Sequence, residues 1–429
     1  MIGRTPIAIC IRLIQLLAAS TAALVMLCSL VIASVARKKH QSVRLFLGMA
    51  LANMFERLGG AYIKVGQLLA SRPDLIHHDI RTGLSRLHTR VKPLSQRCVS
   101  KIARENRFEA IFCTFDATAM AAGSIAQVHR AQLHDGTQVA VKIRRPGIDV
   151  AFQRDLSIMH SLFTLAAMLT YFEKSPLRES VRVICETLSG QLDFKREAQL
   201  TQAFRSCFAQ SASVVVPRVI DEYSNENMIV MEYCQDLITL DREHLPSELW
   251  ESVASRSLRV LYQMIFTDGL IHGDLHPGNV FCRANGNIVV LDFGIAGKME
   301  DEVRKAFVDF FLGFISGSGS QCADVAIRLA TSTPNRLDRT SFTHEIQDLV
   351  DKHSDATAGS FQVGRFAFDM FDIQRRYGVY STTGFILPIS SLLMLEGTLK
   401  ELHPRLDFKG EARRFLFAAM SGVIERRVE

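Results

Sequence analysis

An α+β fold is the expectation for this 429-residue chain, and three observations lead to it. Short β-branched runs read as strands, among them Val139-Ala140-Val141-Lys142-Ile143, Val214-Val215-Val216, Met228-Ile229-Val230-Met231 and Ile288-Val289-Val290-Leu291. Apolar residues elsewhere recur at helical spacing, as at Val253, Val260, Leu261, Met264 and Ile265. The strands gather between a helical beginning and a helical end, a segregated order rather than a regular strand and helix alternation.

Taken in order, the first element is a stretch without a formal charge. Leu13 to Ala36 holds 24 such residues, which as a helix reach roughly 36 Å and suffice for a bilayer. The stretch is long for a signal peptide and is followed by Ala36-Arg37-Lys38-Lys39. Arg37, Lys38, Lys39 and Arg44 outweigh Arg4 and Arg12, so a single span here, within residues 1–40, leaves the rest of the chain in the cytoplasm, for a bacterium on the inner face of the inner membrane. A buried core helix is the alternative.

Residues 41–110 read as a helical extension, broken at Arg72-Pro73-Asp74 and again at Lys92-Pro93-Leu94-Ser95. A strand-bearing lobe over 111–233 and a helical lobe over 234–429 follow. Within the latter, 316–342 is rich in Gly, Ser and Thr and reads as less ordered. Phe385-Ile386-Leu387-Pro388-Ile389 to Leu395 is apolar but interrupted by Pro388, and reads as a buried helix rather than a second span.

Composition agrees with a membrane-associated protein: apolar residues make up 48% and the mean hydropathy is +0.13. A net charge of +6, with no basic run interleaved with aromatics, gives no case for nucleic acid as a partner. Nine cysteines are scattered without a C-x-x-C pair, so neither a zinc site nor a disulfide framework is implied. His77-His78 reads as an exposed pair.

The chemistry is concentrated in Ile271-His272-Gly273-Asp274-Leu275-His276-Pro277-Gly278-Asn279-Val280 and in Asp292-Phe293-Gly294. An Asp, four residues and then an Asn match the catalytic-loop spacing of protein kinases, and a DFG triplet follows an apolar run as it does there. Transferring phosphoryl oxygens need divalent cations, and hard cations take carboxylate and amide oxygens, which suits Asn279 and Asp292 as Mg2+ ligands and Asp274 as the residue that orients a hydroxyl or water. Gly273 stands where most protein kinases have Arg, which argues against control by a phosphorylated activation loop. His276 is expected to stabilise the loop.

Upstream, Ala121-Ala122-Gly123-Ser124-Ile125-Ala126-Gln127 precedes Val139-Ala140-Val141-Lys142, the place and order of a kinase Gly-rich loop and its phosphate-binding Lys. Alanine resists the φ > 0 conformations open to glycine, so a stiffer nucleotide cover is expected. Lys142 needs a carboxylate partner; Glu197, in Asp193-Phe194-Lys195-Arg196-Glu197-Ala198 on a segment that reads as helical, is the candidate, and Glu186 is its rival. Glu232-Tyr233 stands where a hinge would offer backbone groups to adenine.

With Lys64-Val65-Gly66-Gln67 inside the extension, Arg145-Pro146-Gly147, Val216-Pro217-Arg218-Val219 and His272 to Asn279, the chain resembles the UbiB family of atypical kinases over roughly residues 45 to 405. The resemblance implies a protein-kinase-like two-lobed fold with a family-specific helical extension. It implies ATP and Mg2+ as cofactors, Lys64 and Gln67 facing the nucleotide site, and ATPase or small-molecule and lipid kinase activity more than protein kinase activity. It also implies support of ubiquinone or other isoprenoid-quinone biosynthesis at a membrane, with a membrane lipid or quinone precursor and quinone-biosynthetic enzymes as partners. One departure stands out: Gln191-Leu192-Asp193 replaces the usual Glu-x-Asp, and an amide cannot supply that negative charge. A nucleotide-sensing scaffold is a second reading. A small-molecule phosphotransferase is a third, since aminoglycoside-type kinases share His-Gly-Asp-x-x-x-x-Asn but lack Lys-x-Gly-Gln.

Overall fold

The computed structural model describes residues 5–36, 42–70, 72, 76–87, 92–167, 177–354 and 361–421. The expected break at Pro73 and Asp74 and the basic residues Arg37, Lys38 and Lys39 lie outside the described residues. The chain divides into two compact units, one of Met1–Ala131 with Lys142–Leu192 and one of Gln132–Val141 with Asp193–Glu429.

The first unit begins with α1 (Thr5–Ala36), α2 (Val43–Leu58), α3 (Gly60–Ala70), α4 (His78–Leu84), α5 (Gln96–Glu105) and α6 (Phe108–Ile111). It continues with β1 (Phe112–Phe115), β2 (Ala121–Ala122), β3 (Ala126–Leu133) and β4 (Gln138–Arg144), then α7 (Ile148–Ala167) and α8 (Leu177–Gly190). β3 and β4 carry the chain across from one unit to the other and back.

α1 is long and apolar enough between Ile7 and Ser34 to cross a membrane, with a mean hydropathy of 2.4. Only 11% of an 18-residue window within it is buried, unlike a core helix, and side chains such as Leu17 and Ile32 are exposed. α2 gives way to α3 at Gly59 and Gly60, both at positive φ. α2 and α4 touch backbone to backbone, since a Cβ on Gly83 would lie 2.5 Å from the carbonyl carbon of Gly48. The break at Lys92 to Ser95 is present, and the Ser95 hydroxyl accepts the Cys98 N–H to cap α5. His77 and His78 are not an exposed pair: His77 is half-buried and its Nδ1 caps α4 by accepting the Asp79 N–H.

In the second unit, α9 (Phe194–Cys207) is capped by Asp193, whose Oδ1 accepts the Arg196 N–H at 3.0 Å. β5 (Val214–Val215), β6 (Met228–Glu232) and β7 (Ile238–Thr239) lead to α10 (Trp250–Tyr262), which runs on into a π-helical turn over Gln263–Asp268. Then come β8 (Leu270–Ile271), β9 (Val280–Cys282), β10 (Ile288–Val290) and β11 (Gly297–Lys298). A four-stranded sheet has the order β5-β10-β9-β7, with β10 parallel to β5 and antiparallel to β9, Ile288 opposite Cys282 and Val290 opposite Val280. β8 and β11 pair separately, Ile271 opposite Gly297. These two pairings hold together the ends of the loops that carry the Asp and Asn residues.

The helical remainder is α11 (Asp301–Ile315), α12 (Gly319–Arg328), α13 (Arg339–Ser354), α14 (Val363–Arg376), α15 (Thr383–Leu402) and α16 (Phe408–Ser421), with β12 (Ala330–Ser332) paired to β13 (Tyr380–Ser381). α15 passes through Pro388 and buries Phe385, Ile386, Leu392, Leu395 and Leu399 in the core, as expected of a buried helix. The stretch 316–342, expected to be less ordered, carries α12, β12 and the start of α13. Its small residues have local jobs instead: Ser318 caps α12, and Gly319 allows α13 so close that a Cβ would lie 2.3 Å from the Gln347 Cα.

Candidate active site

The loop between β8 and β9 is built around a buried imidazole. His272 is wholly buried; its Nδ1 accepts the Asp274 N–H at 3.3 Å and its Nε2–H donates to the Leu291 carbonyl at 2.9 Å. Burial holds this imidazole below its ordinary pKa, so the neutral tautomer with the proton on Nε2 satisfies both bonds. The loop carrying Asp274 is thereby tied to the residue just before Asp292. Gly273 has φ +77, and a Cβ there would stand 3.0 Å from Ile295 Cγ2. An Arg at this position meets both a backbone and a steric obstacle, so the missing kinase Arg is a requirement of the loop.

Asn279 closes the same loop. Its Nδ2 donates to the Asp274 carbonyl at 2.9 Å, its N–H donates to the His276 carbonyl, and its carbonyl accepts the Leu291 N–H. With the amide nitrogen so engaged, the oxygen is the atom left for a cation. His276 accepts the Gly278 N–H at 2.9 Å on Nδ1 and holds Nε2 3.9 Å from Asp274 Oδ2, the stabilising role expected of it.

Asp292 sits at φ +58, a left-handed conformation that Asp tolerates better than most residues. A Cβ on Gly294 would lie 3.3 Å from Asp292 Oδ1 and 3.6 Å from Glu197 Oε2, so the two carboxylates flank one point beside the glycine. Glu197 is almost fully buried on α9. The same helix reaches the segment after the DFG triplet through Arg196, whose guanidinium donates to the Ala296 carbonyl at 2.9 Å. Phe293 is buried against Phe204, ring centroids 4.7 Å apart, and His272, 5.0 Å apart. Glu197, Thr201 and Phe204, at helical spacings of four and three, share the buried face of α9, a periodicity visible in the sequence once Glu197 is taken as the anchor.

The second unit therefore joins Glu197, Asp274, Asn279 and Asp292. Glu232 ends β6 in this unit and Tyr233 follows it, and their N–H groups donate to the carbonyls of Arg218 and Gln138. Any adenine contact there would use their carbonyls.

The other expected residues lie in the first unit. β2 and β3 form a hairpin, Ala121 opposite Val128 and Ala122 opposite Gln127, with the Gly123 N–H bonded to the Ala126 carbonyl at 2.8 Å. None of residues 121–127 takes a positive φ. Ile125 and Ala126 are buried in the unit. Gln127 is buried too, its Oε1 accepting the Leu94 N–H and its Nε2 donating to His129. Arg145 holds the hairpin tip: Nε donates to the Gly123 carbonyl and Nη2 to the Lys92 carbonyl, each at 2.8 Å. Its motif was visible in the sequence, its contact was not.

Lys142 belongs to β4 of this unit, and Glu186, its other expected partner, pairs with Arg182 at 2.6 Å on an exposed face of α8. Lys64 and Gln67 lie on α3, and Gln67 Nε2 donates to the Leu87 carbonyl. Between them Gly66 is required by packing, since a Cβ would fall 2.3 Å from Leu87 Cδ1 and 2.6 Å from Phe55 Cδ2. At the departure from the usual Glu-x-Asp, the Gln191 side-chain oxygen is buried without a hydrogen-bond partner among the described residues.

Within the second unit the donor set fits a hard cation: an amide oxygen from Asn279 and a carboxylate from Asp292.

Residues 86–326 match the ABC1 atypical kinase-like domain. An uncharacterized protein of Synechocystis is 27% identical over 340 residues, 76% of this chain and 83% of its own length. A Xylella fastidiosa protein named Probable protein kinase UbiB is 28% identical over 386 residues, 86% of this chain and 69% of its own length. An erythromycin complex of a Mycobacterium tuberculosis protein superposes with a TM-score of 0.57 at 21% identity, covering 90% of this chain and 98% of that one, a likeness of fold.

Proposed function

We propose that this chain, which belongs to the ABC1 atypical kinase-like family, transfers the terminal phosphoryl group of ATP in a magnesium-dependent reaction. Asn279 and Asp292 would hold the Mg2+, which when bound neutralises charge on the phosphate oxygens. Asp274 takes the proton from the attacking hydroxyl or water. Lys142, with Glu197 as its carboxylate partner, contacts the phosphates, Ala121 to Gln127 cover the nucleotide, and Lys64 and Gln67 face it from the extension. The observation that carries this reading is the pair of carboxylates, Glu197 and Asp292, flanking Gly294 in the unit where Asn279 is bonded to the Asp274 backbone.

On the same reading α1 attaches the protein to a bacterial inner membrane with the catalytic residues on the cytoplasmic side, and the lipid it acts on is an isoprenoid-quinone precursor handled with quinone-biosynthetic enzymes. The apolar stretch Ile7–Ser34 and the likeness to proteins named Probable protein kinase UbiB support this. The test is magnesium-dependent ATP hydrolysis by the purified chain, with and without anionic liposomes, beside Asp292→Asn. Turnover that rises with lipid and falls by roughly 100-fold or more in the variant is the expected result. Tight nucleotide binding without turnover in either condition overturns it in favour of a nucleotide-sensing scaffold.

A further inference from the structure

Arg12 fastens α1 to the rest of its unit. Its Nε donates to Asp155 Oδ1 at 2.9 Å and its Nη2 to Asp155 Oδ2 at 2.7 Å, while Nη2 also donates to the Leu58 carbonyl at the end of α2 at 2.8 Å. Asp155, on α7, is almost wholly buried. The guanidinium lies 5.1 Å from the ring centroid of Tyr62, on α3 and two residues before Lys64. Further along, the Ser20 hydroxyl reaches the Met54 sulfur at 3.6 Å. Residue 12 beside 58 and residue 20 beside 54 set α1 antiparallel to α2. The buried Ala19 and Ala23 lie on the side of α1 that the unit covers, and its larger side chains are left outside.

A helix in these contacts cannot also cross a bilayer unless α2 and α4 enter with it. α2 exposes Arg44, Glu56 and Arg57, and α4 carries His78, Asp79 and Arg81. The backbone contact between Gly48 and Gly83 holds those two helices together. α1 is also long for a single crossing: its 32 residues reach about 48 Å against a hydrocarbon core of about 30 Å.

We propose that α1 seats the protein in the plane of an anionic lipid bilayer, kept on the body by the Arg12–Asp155 pair, instead of crossing it. This rests on the membrane attachment proposed above and assigns its geometry. Ile7, Ile14, Leu17, Leu24, Val25 and Ile32, each more than 60% exposed, enter the lipid. No charged residue interrupts the helix after Arg12, and the exposed Arg44 at the start of α2 is placed to meet phosphate headgroups. Through Arg12 and Tyr62, the lipid-seated helix is one side chain from the helix that carries Lys64 and Gln67.

The test uses the full chain with one epitope tag before residue 1 and another after residue 429, expressed in a bacterium and recovered in sealed inside-out membrane vesicles. Added protease should remove both tags, as an in-plane helix leaves both ends on the cytoplasmic face. A protected N-terminal tag with a digested C-terminal tag overturns the in-plane seat and leaves the membrane attachment standing as a single crossing. Recovery of the chain in the soluble fraction alone, with no binding to anionic vesicles, overturns the attachment itself and the seat with it.

Discussion

The Phe293 ring rests on the His272 ring, centroids 5.0 Å apart, so the DFG triplet and the loop that carries Asp274 are packed as one piece, and Phe204 of α9 closes that piece from the side of Glu197. Truncating Phe204, which is fully buried, should therefore do two things. Phe204→Ala should cost about 3–5 kcal/mol of stability by cavity formation, read as a lower urea midpoint. Phe204→Leu, a smaller change in volume, should leave the fold in place and still lower ATP turnover, because Glu197 and Asp292 lose their common support. Equal turnover in Phe204→Leu and wild type would sever the link.

Gly294→Ala separates the site from the fold. The added methyl would lie 3.3 Å from Asp292 Oδ1 and 3.6 Å from Glu197 Oε2 while touching no apolar core, so turnover should fall about tenfold or more with a melting temperature within a few degrees of wild type. Gly66→Ala does the opposite. Its methyl would overlap Leu87 and Phe55, and a loss of about 1–3 kcal/mol in stability is expected.

Arg145 positions the alanine hairpin through the Gly123 and Lys92 carbonyls. Arg145→Ala should raise KM for ATP by roughly tenfold, the scale of one charged hydrogen bond, with kcat less affected. Unchanged KM would show that the hairpin keeps its form without the guanidinium.

Acid should destabilise the protein in a window set by buried histidines. Burial holds His272 below its ordinary value of 6.5, and His129 and His353 are lowered for the same reason. Above pH 6.5 these groups are neutral in the folded and unfolded chain alike. As pH falls through 6.5 the unfolded chain takes up protons that the folded chain refuses, so stability drops until the lower folded values are reached. His244, held by Asp241 on the surface, shifts upward and works in the other direction, so the informative quantity is a difference between proteins. The urea midpoint of His272→Gln should fall less than that of wild type between pH 7.5 and pH 5.5.

Motifs and periodicity made much of this legible in advance. The Asp274 to Asn279 spacing and the DFG triplet after its apolar run could be read because they match, residue type by residue type, the short-range spacing of protein kinases. Glu197 on a helix followed from its local pattern. Three things did not. Ser318 and Gly319 read as loop chemistry because a cap and a close approach use the same residues as a flexible stretch. The partner of β5 lies about seventy residues further along the chain, in β10, beyond the reach of any local pattern. The fastening of α1 depended on Arg12 finding Asp155, and a lone charge near an apolar run carries no such address.

The backbone at Asp292 has a consequence for anyone who improves this protein by selecting for heat resistance. At φ +58 glycine is the residue most at ease, so Asp292→Gly relaxes the chain there while deleting the carboxylate proposed to hold the magnesium ion. A screen that rewards thermal survival alone would drift towards that substitution and collect sturdier, silent variants. Selection on this scaffold has to score turnover and endurance together.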